Sequence, residues 1–221
     1  MEPGPGTMLT ATLRLERELG RGGMGSVWRA RHLGLGADVA VKLVAPELLR
    51  DEVIRERFAR EARAAAHIRS PHVVAILDFG TSADGTPYIT MDLCQGETLR
   101  RRLARLGRLE PRAAVRVVAG VTLGLEAAHA LGIVHRDIKP ENVLFDGPDD
   151  TVKLLDFGIA KRSDTGERIL TMADAVMGTP AYMSPEQVLF PGKVEPAFDL
   201  WAVGVVAYEM LTGVSPFGEA A

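Results

Sequence analysis

The stretch His135–Asn142, with the sequence HRDIKPEN, constrains this chain more than any other segment. Apolar runs lie on both sides of it, which predicts a polar loop held between two buried segments, where scaffolds commonly display reactive groups. Asp156 follows at the end of a further apolar run. Asp137, Asn142 and Asp156 supply oxygen atoms that suit a hard cation such as Mg²⁺. Lys139 adds a positive charge that can offset charge developing on a phosphate.

A glycine-rich stretch lies near the start of the chain, between two predicted strands. It reads Gly20-Arg21-Gly22-Gly23-Met24-Gly25-Ser26-Val27. Glycines let the backbone approach an anion and direct N–H groups toward it. One alternative is a dinucleotide-binding fingerprint, which requires a helix after the glycines and an acidic residue about 20 positions further on. Val27 and Trp28 favour a strand instead, and a plain flexible hairpin is the other alternative.

A lysine and a glutamate stand out in the next two segments. Lys42 interrupts the apolar strand DVAVKLV, where alternation alone could direct its side chain to solvent. Glu61 falls on one face of a helix predicted over residues 51–69. The other members of that face are apolar: Ile54, Phe58, Ala65 and Ile68. A buried carboxylate needs a partner, and Lys42 is the natural one, unless Glu61 lies at the edge of the face and reaches water.

Taken in order, these motifs resemble the glycine-rich loop, the lysine–glutamate pair, the catalytic loop and the DFG motif of protein kinases. The sequences HRDIKPEN and GTPAYMSPEQ are similar to those of the bacterial branch of eukaryotic-like serine/threonine kinases. The resemblance implies an α+β, two-lobed kinase fold. It divides the chain into a flexible tail (1–9), an N-lobe (10–92) with a five-stranded antiparallel sheet and one helix, and a mainly helical C-lobe (93–221).

The resemblance implies that the γ-phosphoryl group of ATP is transferred to a Ser or Thr hydroxyl of a protein substrate. Asp137 would orient that hydroxyl, and Lys139 would contact the transferred phosphate. Asn142 and Asp156 would hold Mg²⁺. Lysine two positions after Asp137 resembles serine/threonine kinases rather than tyrosine kinases.

Nucleotide contacts are implied in the same way. Lys42, paired with Glu61, would orient the ATP phosphates. Met91 would guard the back of the adenine pocket, and backbone groups of Asp92 and Cys94 would hydrogen-bond adenine. The other residues expected to bind the nucleotide are Gly20, Arg21, Gly22, Gly23, Gly25, Val27, Ala40, Asn142 and Asp156.

Supporting and regulatory roles follow from the resemblance too. Asp199 would cap the backbone of the catalytic loop, and His135 and Phe157 would belong to an internal stack of side chains. Arg136 resembles a cation that receives a phosphorylated residue of the activation loop, expected over about residues 156–186. Candidate phosphosites there are Ser163, Thr165 and Thr171, unless they are ordinary loop hydroxyls. Autophosphorylation would involve self-association.

Composition excludes several other classes of protein. The formal net charge of −3 gives no reason to expect nucleic-acid binding. A single cysteine, Cys94, excludes a disulfide within the chain. The most apolar run, Leu200–Leu211, is short for a membrane span and contains Glu209, so a cytoplasmic protein is expected.

The end of the chain departs from the family pattern. No arginine follows Glu186, although the family supplies one to pair with this carboxylate, and the C-lobe would lack its C-terminal helices. We therefore expect an exposed apolar surface around Trp201–Phe217 and marginal stability. The alternative function is a truncated, kinase-like binding module that holds a nucleotide without turnover.

Overall fold

The computed structural model describes residues 3–22, 25–45, 52–157, 180–190 and 193–218. The chain divides into two units. Unit 1 comprises Met1–His67 and Ala75–Cys94, and unit 2 comprises Ile68–Val74 and Gln95–Ala221. The boundary after Cys94 lies close to the predicted boundary between residues 92 and 93. Ile68–Val74 falls within the predicted N-lobe but belongs to unit 2.

Unit 1 is built on a five-stranded antiparallel sheet, which confirms the predicted N-lobe architecture. Its strands are β1 (Leu13–Gly22), β2 (Gly25–His32), β3 (Ala37–Val44), β4 (Ile76–Thr81) and β5 (Pro87–Asp92). They are ordered β1-β2-β3-β5-β4, and every neighbouring pair is antiparallel. The predicted helix is α1 (Glu52–Ala65), whose Phe58 and Ala62 are buried.

One face of this sheet carries a core that extends to the N-terminal segment. Leu15, Trp28 and Val41 are buried there, and Leu9 joins the same cluster. Backbone hydrogen bonds hold the segment: Gly6 N–H donates to Leu15 O at 2.8 Å, and Leu9 N–H donates to Leu13 O at 2.9 Å. Part of the segment predicted as a flexible tail, residues 6–9, is thus bonded to the sheet, where Leu9 buries its apolar side chain.

Unit 2 contains four α-helices and one hairpin among the residues described. The helices are α2 (Leu99–Leu106), α3 (Pro111–His129), α4 (Pro185–Leu189) and α5 (Pro196–Thr212), and the hairpin strands are β6 (Val143–Asp146) and β7 (Thr151–Leu154). β4 begins only at Ile76, because the preceding residues Val73 and Val74 associate with β7 instead. Val74 N–H donates to Leu154 O at 3.0 Å, and Leu154 N–H donates to His72 O at 2.9 Å.

The segment before α2 runs unusually close to β6. Phe145 N–H donates to Glu97 O at 3.0 Å, and Gln95 N–H donates to Asp146 Oδ1 at 2.7 Å. A Cβ at Gly96 would lie 1.8 Å from Phe145 O, so only glycine fits between these two backbones.

Two glycine-to-alanine changes are expected to have opposite effects on stability. Gly96→Ala should lower the free energy of unfolding by about 2 kcal/mol or more, because the methyl group must displace the backbone of β6. Gly204→Ala, in the middle of α5, should raise it by about 0.5–1 kcal/mol, since alanine favours the helix and a Cβ there meets nothing within 4 Å. Urea unfolding measures the free energy of unfolding of both variants. Equal values would contradict the prediction that a methyl group is excluded at position 96 and tolerated at position 204.

An exposed apolar surface is present on α5 and the residues after it, as predicted. Leu200, Leu211, Val214 and Phe217 are all exposed, and the Trp201 ring stacks on Phe217 at 5.9 Å between centroids. The marginal stability inferred from this surface stays a prediction, which thermal unfolding can test. Within the described ranges, no helix combines the length and the apolar character that crossing a bilayer requires.

Candidate active site

The β6–β7 hairpin places Asn142 beside the start of the DFG motif. Val143 pairs with Leu154 at the open end of the hairpin. One residue beyond this pair, Leu155 N–H donates to Asn142 O at 2.9 Å. Asp156 comes next, with a φ of 51° that turns the chain out of the strand direction. Asn142 and Asp156 are thus brought together by a local pairing of two short strands.

Within the stretch His135–Asn142, the Asn142 side chain is also hydrogen-bonded to Asp137. Its Nδ2 donates to the backbone carbonyl of Asp137 at 2.8 Å and to Asp137 Oδ2 at 3.0 Å. Lys139 Nζ lies 3.3 Å from the same carboxylate oxygen. The short 3₁₀ helix Pro140–Asn142 returns the chain so that these three side chains converge. A carboxylate, an ammonium and an amide therefore occupy one small region of unit 2.

A buried acid fixes the backbone of this loop from below. Asp199, 1% exposed, accepts hydrogen bonds from the backbone N–H groups of His135 at 2.8 Å and Arg136 at 2.7 Å. His129 Nε2 lies 2.8 Å from the same carboxylate. The predicted cap by Asp199 is confirmed. It holds Arg136 at a φ of 65°, a conformation that is unfavourable for a residue with a side chain.

His135 has a structural role in the same region. Its ring is 4.6 Å from that of Phe157 between centroids, as the predicted stack requires. Burial lowers the pKa of the His135 ring, which keeps the ring neutral. Nε2 then donates to Leu155 O at 2.8 Å, while Nδ1 accepts from Asp137 N–H at 3.3 Å. A neutral imidazole can do both, since one ring nitrogen carries the proton and the other does not.

In unit 1, the strand register places several predicted nucleotide-binding residues on one face of the sheet. Lys42 is opposite Val27 on β2, and Ala40 is opposite Met91 on β5. Because side chains alternate along a strand, Val27, Ala40, Lys42 and Met91 share a face. The opposite face carries the Leu15–Trp28–Val41 core, so Lys42 lies on the face away from it.

The glycine-rich turn joins β1 to β2. Gly20 is opposite Val27, Arg21 is opposite Ser26, and Gly22 is opposite Gly25. Gly25 has a φ of 128°, and a Cβ there would lie 1.9 Å from Leu43 O. The Arg21 guanidinium donates to both Glu18 carboxylate oxygens, at 3.1 and 2.8 Å. Gly23 and Met24 lie outside the described residues.

The remaining predicted residues are placed individually. Asp92 is the last residue of β5, and Cys94 is the last residue of unit 1. Asp92 N–H donates to Ala75 O at 3.0 Å. Glu61 lies on α1 and is partly buried. The pairing of Glu61 with Lys42 stays a prediction. Gly158, the candidate phosphosites Ser163, Thr165 and Thr171, and the Gly178–Thr179 pair lie outside the described residues.

Four residues of unit 2 that sequence reasoning did not assign form a polar cluster near the catalytic loop. They are Arg100, Glu141, Tyr182 and Glu209. Two arginines of α2 are anchored in ion pairs: Arg100 with Glu141 and Glu209, and Arg102 with Glu97 and Asp150.

The donor set of the site fits Mg²⁺ bound together with a nucleotide. Asn142 commits its amide nitrogen to Asp137, which leaves the amide oxygen as the end that can face a cation. Together with Asp156 this gives hard oxygen ligands, which Mg²⁺ prefers, with phosphates and water completing its shell. In the part of the chain that the structure describes, no group of three or more His, Cys, Asp or Glu residues is placed to hold a metal.

Comparison with known proteins gives a consistent assignment. Residues 13–221 match the protein kinase domain family. Serine/threonine-protein kinase pkn3 of Myxococcus xanthus is 42% identical over 217 residues, which are 96% of this chain and 40% of that protein. Serine/threonine-protein kinase PknA of Mycobacterium tuberculosis is 42% identical over 98% of this chain and 50% of its own length. The chain thus spans half or less of these curated relatives.

Solved structures agree with the sequence comparison. The kinase domain of Mycobacterium tuberculosis PknI superposes with a TM-score of 0.81 at 27% identity, covering 100% of this chain and 80% of that one. The predicted α+β kinase fold is confirmed, and the named relatives give no support to a non-catalytic binding module. With nearly its whole length matched, this chain belongs to the protein kinase domain family, and its relatives are bacterial serine/threonine kinases.

Proposed function

We propose that this chain transfers the γ-phosphoryl group of ATP to serine or threonine hydroxyls of proteins. The observation that carries the proposal is the convergence of Asp137, Lys139 and Asn142 in unit 2. Asp156 follows Leu155, whose N–H donates to Asn142 O beside the hairpin. This set contains the parts that phosphoryl transfer needs, namely a carboxylate for the hydroxyl, a cation for the phosphate and oxygen ligands for Mg²⁺.

Each residue of unit 2 then has a role. Asp137 orients the acceptor hydroxyl and takes its proton, and Lys139 stabilises negative charge on the transferred group. Asn142 and Asp156 would hold Mg²⁺, which when bound neutralises charge on the ATP phosphates.

Unit 1 would supply the nucleotide contacts. The backbone of the Gly20–Gly25 turn would approach the phosphates, and Lys42, supported by Glu61, would orient them. Val27, Ala40 and Met91 would contact the base with their shared face, and backbone groups of Asp92 and Cys94 would hydrogen-bond it. We further propose a cytoplasmic location and transient self-association for autophosphorylation at Thr171, Thr165 or Ser163, with no role in binding nucleic acid.

The test is transfer of label from γ-labelled ATP to the chain itself and to a generic basic protein. Wild type should label serine and threonine in a Mg²⁺-dependent reaction that EDTA stops. Lys42→Met and Asp156→Asn should each reduce the rate by about 100-fold or more, because each removes a charge that acts on the phosphates. Equal labelling by all three proteins, or no labelling by wild type in Mg²⁺, would refute the proposal.

A further inference from the structure

Helix α3 is held against the rest of unit 2 by two glycines on its inner side. A Cβ at Gly120 would lie 2.7 Å from Val152 Cβ, and a Cβ at Gly124 would lie 2.7 Å from His72 O. Contacts this close hold the helix in one rotation about its own axis. The side that α3 presents to solvent is therefore fixed by its packing.

The exposed side of α3 is one continuous face, called here the outer face of α3. Positions that recur every three or four residues lie on the same side of a helix. The exposed residues between 112 and 126 follow this pattern: Arg112, Val115, Arg116, Ala119, Leu123 and Glu126. Val115 is 67% exposed and Leu123 is 49% exposed. Their alignment on one face, with alanine between them, suits packing against another helix.

This outer face is complementary to itself. Ala119 lies at its centre, with Val115 and Leu123 four residues before and after it, and Arg112 and Glu126 seven residues before and after it. In an antiparallel pair of α3 helices with Ala119 opposite Ala119, Val115 of each copy is level with Leu123 of the other. Arg112 of each copy is likewise level with Glu126 of the other. A two-fold interface between identical chains requires this kind of self-complementarity.

The chemistry of each position agrees with such a pair. Alanine at the centre lets two helices approach to about 8 Å between their axes, the close end of the usual range. Val115 and Leu123 would lose apolar surface to water on pairing, which favours association. Within the described ranges, neither Arg112 nor Glu126 has an ion-pair partner in its own chain, so both charges are available to a second copy.

We propose that the outer face of α3 joins two copies of this chain in an antiparallel, two-fold dimer. The inference rests on the self-association that is part of the function proposed above, and it names the surface responsible. One helix from each copy buries on the order of 1,000 Å² in total, which is at the low end for specific interfaces and fits a transient dimer. The dimer does not depend on phosphoryl transfer, so it can be measured without ATP.

Charge reversal tests the pairing of Arg112 with Glu126. Sedimentation velocity of the whole chain at increasing concentration gives the Kd of the dimer. Arg112→Glu should raise this Kd about tenfold or more, because two attractive pairs become two repulsive ones. Adding Glu126→Arg to the same chain should restore the Kd to within about threefold of wild type, since the pairs are re-formed with their charges exchanged. Arg101→Glu is the control, because Arg101 is exposed on α2, outside this face, and it should leave the Kd unchanged.

Cysteine cross-linking tests the antiparallel geometry. Ala119→Cys should give a covalent dimer on oxidation with copper phenanthroline, because the two copies of this residue meet at the two-fold axis, and a disulfide needs Cα atoms within about 7 Å. Glu126→Cys should not, since a rise of about 1.5 Å per residue separates its two copies by about 20 Å. Wild type, which carries Cys94, gives the background, and a non-reducing gel measures all three proteins.

The outcomes separate the inference from the proposed function. Wild type that stays monomeric up to about 0.5 mM would overturn the inference. A dimer whose Kd is the same in Arg112→Glu would also overturn it, since association would then use another face, such as the exposed apolar surface on α5. Equal cross-linking of Ala119→Cys and Glu126→Cys would indicate parallel helices and exclude the proposed dimer. Absence of phosphate transfer by wild type would overturn the proposed catalytic function and leave these measurements unchanged.

Discussion

Asp137→Asn is expected to lower kcat for phosphate transfer by about 10²- to 10⁴-fold, the range typical of a lost general base. The carboxylate lies 3.0 Å from Asn142 Nδ2 and 3.3 Å from Lys139 Nζ. Asparagine keeps an oxygen that can accept from Asn142, so the geometry of the loop should survive. What it loses is the negative charge and the basicity that, in the proposed function, would draw the proton from the acceptor hydroxyl.

The size of this effect on kcat should contrast with small effects on stability and on KM for ATP. We expect the free energy of unfolding to change by less than about 1 kcal/mol, since the substitution is isosteric and its hydrogen bond is retained. Asp149→Asn is the matched control, because Asp149 is an exposed aspartate of the same unit, and it should retain wild-type kcat. Steady-state kinetics with urea unfolding measure all three quantities, and a kcat within twofold of wild type for Asp137→Asn would remove Asp137 from the mechanism.

The grouping of the proposed catalytic residues was predictable because local structure brings them together. Asp137, Lys139 and Asn142 lie within one short loop, and the link to Asp156 requires only that two adjacent apolar runs pair as a hairpin. The period of two along β3 likewise predicts that Lys42 and Ala40 share a face. In each case the relative position of the residues depends on their spacing along the chain, which can be read directly from the sequence.

The Arg100 cluster was missed because its members come from four distant segments. Its one sequence signal was Glu209, a carboxylate inside the apolar run Leu200–Leu211, which must find a partner when buried. A carboxylate within an apolar run indicates that a cation must pair with it, but it does not indicate which of the many arginines is the partner. The packing of Leu9 and the position of Ile68–Val74 in unit 2 were missed for the same reason. Both depend on which distant apolar surface the segment packs against, and spacing along the chain does not record this.

Asp199→Ala should be the most destabilising change near the active site. The substitution removes a buried acceptor from two backbone N–H groups, those of His135 and Arg136, and from His129. Each unsatisfied buried donor costs about 1–3 kcal/mol, so we expect the free energy of unfolding to fall by about 3–5 kcal/mol. Asp199→Asn should lower the free energy of unfolding by less. The asparagine oxygen can still accept one of these hydrogen bonds, whereas its NH₂ group would face the remaining N–H donors.

This change should also reduce catalysis in the molecules that remain folded. Arg136 has a φ of 65°, and such a conformation persists only where surrounding contacts enforce it. Without Asp199 the loop can relax, and Asp137, the next residue, moves with it. Urea unfolding and kcat per folded molecule measure the two effects, with Asp149→Ala as the control that should change neither. Unchanged kcat per folded molecule in Asp199→Ala would show that the loop geometry is set by Asn142 and the β6–β7 hairpin alone, and that Asp199 contributes only to stability.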